Sequence, residues 1–402
     1  MRSRSLRKNT PLFLCLLAAG LAAPLTGCGQ PASEGPIPPL PPAEGRINPG
    51  LGPDARPIST GPGYKGSPSW SPDGGRVAFI KDGYVADRTV EDRRLTRWTT
   101  RDFGAVEAEW TAGGALIVLG GPGAVEGRPG AAYKTDPDEG SLGVEEIVGR
   151  VLAMAPGREG FILALRTGRA GSGISLLQDG RVERAYTTTV PGTVTGISPS
   201  PDGDRVALAV RPPEGHASAE LHVFDLRSGE SRRISDLEGD RGIFGAPQWT
   251  NHGIYFVAGA ASRGDDEPLY DLYRTSPEPG EPEPAPGVGE DFAAGGARVS
   301  PGGARLAVVG RLNPTSPLNL YVLDTATGAF DAVTTNEDME IKTGPDDLAW
   351  SPSGTSVAIV ARCASTGEPK VRATPADQIL DDFYNLYEVP IAAAPVPPEG
   401  RR

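Results

Sequence analysis

The string "GSPSWSPDGGRVAFI" (66–80) recurs along the chain, and this recurrence limits the fold more than any other feature of the sequence. "DDLAWSPSGTSVAIVA" (346–361) repeats it almost feature for feature. "TGISPSPDGDRVALAV" (195–210) keeps the turn but has Pro199 at the tryptophan position, and "GARVSPGGARLAVVG" (296–310) has Val299 there. "GAPQWTNHGIYFVAG" (245–259) and "VEAEWTAGGALIVLG" (106–120) keep the tryptophan and change the turn. "VLAMAPGREGFILAL" (151–165) is the most divergent copy, with Met154 as its anchor. The anchors fall at 70, 110, 154, 199, 249, 299 and 350, and successive differences are 40, 44, 45, 50, 50 and 51.

A period of this size accommodates four short strands and their turns, one blade of a β-propeller per copy. Within a copy, the anchor closes an inner strand. Pro-Asp-Gly then supplies a preset φ, a residue tolerant of the turn and a position free to take φ > 0. The run that follows ("RVAFI", "RVALAV") is apolar on both sides, as a strand packed between neighbouring sheets must be. Third-strand copies follow at "LHVFDLRSGE" (221–230), "YDLYRTS" (270–276), "NLYVLDTATGA" (319–329) and "NLYEVPI" (385–391). The 54 glycines and 41 prolines fit many turns and exclude long helices. The expected fold is all-β, a seven-bladed propeller. The alternative is six blades with a divergent insert around 121–165.

The chain ends sharpen the expectation. The last copy has three strands and then only "AAAPVPPEGRR", whereas "ARPISTGPGY" (55–64) reads as an outermost strand without a blade of its own. Pairing the two completes the last blade, closes the ring and removes open sheet edges.

Upstream, "MRSRSLRKN" is a basic n-region and "PLFLCLLAAGLAAPL" an apolar h-region, so residues 1–27 read as an export signal. It ends in "LTGC", Leu25 to Cys28, which resembles the lipobox of bacterial lipoproteins. The resemblance implies cleavage before Cys28, a diacylglycerol thioether on it, and a further acyl chain such as palmitate on its new amino group. Two or three chains make a stable membrane anchor. Residues 28–54 then form a Pro/Gly-rich tether, 55–391 the propeller and 392–402 a tail. Loss of Arg2, Arg4, Arg7 and Lys8 with the signal takes the formal charge from −12 to −16, which disfavours nucleic acid as a partner. Of three cysteines only Cys363 remains unmodified in the mature chain, so no internal disulfide is expected.

The segment "PISTGPGYKGSPSWSPDGGRVAFI" resembles the repeat of the TolB-like propellers, also called the WD40-like or PD40 repeat. The resemblance spans about 55–391 and is specific for fold. TolB itself is six-bladed behind an amino-terminal α/β domain, whereas this chain has seven anchors and no such domain. TolB's own role is therefore not implied.

Catalytic chemistry finds little footing. Hydrolases that carry a gate propeller need a G-x-S-x-G elbow and a separate domain, and no G-x-S-x-G occurs here. The three histidines, His216, His222 and His252, fall in different blades or at different radii, so no shared metal site is expected. Acidic pairs such as Asp265–Asp266 and Asp381–Asp382 read as solvated loops. Twelve positions beyond the anchor stand Arg166, Arg211, Arg311 and Arg362, where the second strand leaves the sheet on the face with the longest loops. These four are the candidate partner-binding residues, suited to a carboxylate-rich segment; the competing reading is that arginine merely solvates strand ends.

The expectation is a monomeric, non-enzymatic, lipid-anchored propeller without cofactor or metal. It would face outside the cytoplasm from the cell membrane or an outer membrane and bind another envelope protein or peptide. The alternative is a solute- or glycan-binding lipoprotein that uses the central channel.

Overall fold

The computed structural model describes residues 51, 55–59, 63–121, 129–135, 144–158, 160–168, 171–213, 219–236, 241–260, 269–336, 339–363 and 384–391. The signal segment, Cys28, nearly all of the tether, and the tail 392–402 lie outside them. Apart from the one-turn 3-10 helix Arg101–Phe103, every element given bounds among the described residues is a β-strand.

Strands follow the repeat closely. Each of five anchors is the last residue of its strand or one short of it: Lys65–Trp70, Glu107–Trp110, Thr193–Pro199, Ala293–Val299 and Leu348–Trp350 end on theirs. Trp249 is followed by one residue in Arg241–Thr250, and Met154 lies near the end of Glu145–Pro156. The apolar runs form the second strands, and Arg205–Arg211 is buried from Val206 to Val210. Both of its faces are covered, which is why the run does not alternate. All ladders are antiparallel, with consecutive strands paired. The strand Arg56–Pro57 pairs with Asn385–Pro390, Arg56 opposite Glu388, and Ile58 N–H donates to Leu386 O at 2.7 Å.

Among the described residues the sheets number six, because the second and third copies share one. Glu145–Pro156 pairs with Gly130–Thr135 through its first half and with Phe161–Thr167 through its second. No loop separates the outer strand of one copy from the inner strand of the next; Arg150, at φ 64, is the pivot between them. The region around 121–165 thus contributes regular ladders wherever it is described.

Two further departures have clear causes. The inner strand of the last copy is interrupted between Met339–Ile341 and Leu348–Trp350, where Gly344 and Pro345 cannot sustain a ladder. Leu51, expected in a tether, is 1% exposed and packs in a cluster with Ile341, Leu348 and Tyr387.

The core is divided rather than single. Seven apolar clusters are found among the described residues, each between neighbouring copies. Strand alternation explains this: Val77 and Phe79 face one neighbour, Ala78 and Ile80 the other. One cluster unites Trp70, Val77 and Phe79 of the first copy with Ala358, Val360 and Leu386 of the last.

Candidate functional site

The anchor side chain points between sheets, so the residue before it points the other way. At that position five copies carry polar groups: Ser69, Glu109, Ser198, Gln248 and Arg298. All five line one cavity of about 620 Å³, whose walls include residues from every copy of the repeat.

These side chains also join each copy to the next. Ser69 Oγ donates to Glu109 Oε2 at 2.6 Å. Ser198 Oγ accepts from Trp249 N–H at 2.8 Å, and Gln248 Oε1 accepts from Val299 N–H at 2.9 Å. The indoles do the same from the anchor position. Trp110 Nε1 donates to Ser69 O at 3.0 Å, Trp350 Nε1 to Arg298 O at 2.8 Å, and Trp70 Nε1 to Ala349 O at 3.2 Å. A charged group stands out within this wall. Arg298 Nη2 meets Asp346 Oδ1 at 3.1 Å, and its guanidinium also feels Glu109 and Glu107.

Glu107 and Glu109 lie two apart on one strand and so share a face. Burial pushes the Glu107 carboxyl well above its ordinary range, and the charges of Asp346 and Glu109 add to the shift. Burial also raises Glu109, against the pull of Arg298 and the Ser69 hydrogen bond. For Arg298 burial opposes the charged form, but Asp346, Glu109 and Glu107 outweigh it and the guanidinium is held more firmly protonated.

The four candidate arginines do stand at or next to the ends of their second strands. Arg211 and Arg311 are equivalent in register, opposite Thr193 and Ala293, with the same bulge one step away. Their surroundings differ. Arg211 is exposed, whereas Arg166 and Arg311 are half-buried, and Arg311 Nη1 donates to Pro314 O at 3.2 Å. Arg362 pairs with Glu340 at 2.5 Å and lies 4.8 Å from the Tyr384 ring centroid. The guanidinium of Arg362 therefore has a local carboxylate.

His222 Nε2 is 2.9 Å from Glu220 Oε2, and His252 is exposed in its turn. His216 and the pairs Asp265–Asp266 and Asp381–Asp382 lie outside the described residues. Among the described residues no group of three or more histidines, cysteines or carboxylates is placed to hold a metal ion.

Two features escaped the sequence reading, and both were accessible with the same ruler. One is the ring of polar side chains one step before the anchor. The other is six steps after it, where Arg76, Arg205 and Arg305 each lie over the tryptophan of the following copy. Their distances to the Trp110, Trp249 and Trp350 centroids are 4.5, 5.1 and 5.1 Å. Copies followed by Met154, Pro199 or Val299 have no arginine at that step.

No protein-family model matches this chain, and no curated protein matches it in sequence. Solved structures do. The β-propeller domain of Cps50 (Swd1) from Myceliophteria thermophila is similar at a TM-score of 0.52 and 14% identity, with 84% of this chain and all of that domain covered (100%). A puromycin-hydrolyzing peptidase of Mycobacterium tuberculosis is similar at 0.51 and 15%, covering 76% of this chain and 52% of the peptidase, about half its length. The fold is a β-propeller. TolB from Agrobacterium tumefaciens is also among the similar structures, at a TM-score of 0.42 and 15% identity, with 74% of this chain and 89% of TolB covered. Among the described residues no helix is long and apolar enough to cross a membrane.

Proposed function

We propose that this protein is a lipid-anchored, seven-bladed propeller that works by binding, presenting one face to another cell-envelope protein or peptide. The seven-blade reading is supported by seven anchors and seven inter-copy cores. Closure of the ring is supported by the pairing of Arg56–Pro57 with Asn385–Pro390 and by the Trp70 bond to Ala349 O. Attachment outside the cytoplasm rests on the export signal and the "LTGC" lipobox, with Cys28 as the acylated residue. A non-enzymatic role is supported by the missing G-x-S-x-G elbow.

The observation that carries the binding role is the contrast between the two ends of the second strand. At one end the turn is short and nearly uniform, as from Trp70 to Arg76, Pro199 to Arg205, Val299 to Arg305 and Trp350 to Ser356, and shorter still between Thr250 and Gly253. At the other the connection varies from Lys81–Tyr84 to Cys363–Asn385. Length variation concentrated on one face of a rigid disc is the pattern of a recognition surface. Arg166, Arg211, Arg311 and Arg362 stand at that edge, and exposed Arg211 is the member best placed to meet a carboxylate-rich partner. The indoles bordering the cavity weigh against a glycan there. Trp249 and Trp350 are nearly buried and lie beneath Arg205 and Arg305, so their faces are not platforms for a sugar.

A pull-down from detergent-solubilised envelope tests the reading, with the full-length chain as bait and the Arg166, Arg211, Arg311 and Arg362 alanine quadruple as control. A stoichiometric partner lost in the quadruple is expected. A partner kept in the quadruple would discard the arginine edge, and absence of any partner would sink the scaffold. Cys28→Ser is expected to move the protein from the membrane to the soluble fraction; unchanged fractionation would refute the lipid anchor.

A further inference from the structure

We propose that residues 51–59 are a strap released by tension: load on the amino-terminal tether strips them from the last copy in one discrete step, while the propeller behind them stays folded. That such a load arises in the cell rests on the lipid anchor proposed above; the strap itself is read from the fold.

The first ground is the load path. Arg56–Pro57 is the edge strand of the last copy's sheet and the first strand in the chain among the described residues. A pull on the tether therefore enters the fold at Leu51 and crosses the strap before it meets any other strand. Glu283–Pro284 is equally short, but it stands between the strands Asp271–Thr275 and Ala293–Val299, so the load does not reach it first.

The second ground is how the strap is held. Its strand has two register pairs, Arg56 with Glu388 and Pro57 with Tyr387, whereas Ser231–Asp236 is paired from Ser231 to Asp236 in the fourth copy. Pro57 has no N–H to give to the ladder. Ile58 and Ser59 N–H both donate to Leu386 O, at 2.7 and 3.3 Å, and Ser59 Oγ accepts from Leu386 N–H at 2.9 Å. Buried side chains supply the rest of the fastening. Leu51 and Ala55, 1% and 2% exposed, enter the core between the sixth and last copies, and Ile58 enters the one between the last and the first. Packing contacts weaken steeply once a gap of about 1 Å opens, so such a strap holds at rest and gives way as a unit.

The third ground is a stop directly behind it. Tyr64 N–H donates to Asp82 Oδ1 at 2.8 Å, which secures the entry to the first copy. Lys65 Nζ donates to Tyr384 O at 3.1 Å, Lys342 Nζ to Lys65 O at 2.9 Å, and Trp70 Nε1 to Ala349 O at 3.2 Å. These last three bonds join the first copy to the last without the strap. A load that has removed residues 51–59 meets them next, and release ends there. What it uncovers is the outer edge of Asn385–Pro390 and the apolar side chains of Ile341 and Tyr387, a local change that follows tension on the tether.

Optical-trap stretching of the full-length protein in detergent tests this. One handle is ligated to a tag inserted after Pro42 in the tether, the other to a tag after Gly215, in the loop beyond Arg211. The expected trace has a small reversible step ahead of the main unfolding event. That step is no longer than about 50 Å, the full extension of residues 51–64 at about 3.5 Å each. Oxidised Arg56→Cys/Glu388→Cys ties the strap to the strand opposite and should remove the step, and reductant should restore it.

Leu51→Asp should lower the force of the small step and leave the main event at the parent's force, a split that general loss of stability does not give. Unfolding with no preceding step, a step that persists in the oxidised variant, or a main event weakened as much as the small one by Leu51→Asp would overturn the proposal. The handle in the tether makes the trace independent of acylation, so failure here and failure of the Cys28→Ser fractionation are separate results.

Discussion

The two ends of the second strand behave as different materials. At the turn end, anchor, turn and arginine are tied to the neighbouring copy by indole hydrogen bonds, polar side chains and guanidinium–indole contacts. At the loop end the connections differ in length from copy to copy, and the four arginines do not share one environment. Arg211 is exposed while Arg362 is paired with Glu340. The difference teaches where sequence is held by packing and where it is free to follow a partner. A contact that must be made between every pair of copies tolerates one geometry, whereas a loop in water tolerates many.

The contrast can be broken hardest at Trp350. Its indole is 7% exposed, packs in the cluster with Ile341 and Val357, and donates to Arg298 O. Trp350→Ala is expected to cost about 3–5 kcal/mol in denaturant unfolding; a loss below about 1 kcal/mol would mean that the anchors do not hold the copies together.

Next comes Gly196, where an added Cβ would stand 2.5 Å from Ala246 Cα of the neighbouring inner strand. Backbone there cannot yield like a flexible side-chain end, so Gly196→Ala should destabilise by about 1–3 kcal/mol, read from the same unfolding curves. An unaffected midpoint would show that the inner strands are less tightly apposed than described.

Arg305→Ala removes a guanidinium from over Trp350 and its hydrogen bond to Gly354 O, with an expected loss of about 0.5–1 kcal/mol. A double-mutant cycle with Trp350 separates that contact from the rest of the indole's packing.

Glu107→Gln should act with the opposite sign. The folded-state pKa of Glu107 lies above its unfolded value, so the folded protein holds more protons in the window between them. Stability falls as pH rises through that window and remains lower above it. The glutamine variant is therefore expected to melt higher than the parent at neutral pH and alike below about pH 4, the lower edge of carboxyl titration. A lower melting temperature at neutral pH would show that the Glu107 carboxylate is compensated by a contact in the folded protein.

Arg211→Ala sharpens the comparison from the other side. An exposed residue at a strand end should change stability by less than about 0.5 kcal/mol while weakening partner capture. A larger loss of stability would make it a structural residue like Arg305.

The repeat made most of the fold legible in the sequence. Pro-Asp-Gly turns, two-sided apolar runs and a fixed anchor are local features, and each reports its own strand without reference to distant parts of the chain. Strand positions, the third-strand hairpins and the pairing of 56–57 with the last copy all followed from them.

The fused sheet did not, because it depends on a loop being absent between Gly149 and Val151, and apolar periodicity does not register a pivot residue at φ 64. Nor did the fate of the four arginines. Their position along each copy was readable, but the carboxylate that meets Arg362 comes from Glu340, on a strand segment whose interruption the repeat did not announce.

The cavity lies between these cases. Its polar residues sit at a fixed step before the anchor in five of the seven copies and could be counted from sequence, with Ala153 and Ala349 in the other two. That Glu109 and Arg298, 189 positions apart (298 − 109), act on the same space was decided only when the copies were arranged around a common cavity. Sequence by itself determined what repeats, since turn and strand preferences are set by neighbouring residues. Tertiary structure decided which side chains and which charges meet, because electrostatic contact depends on distance through space and not along the chain.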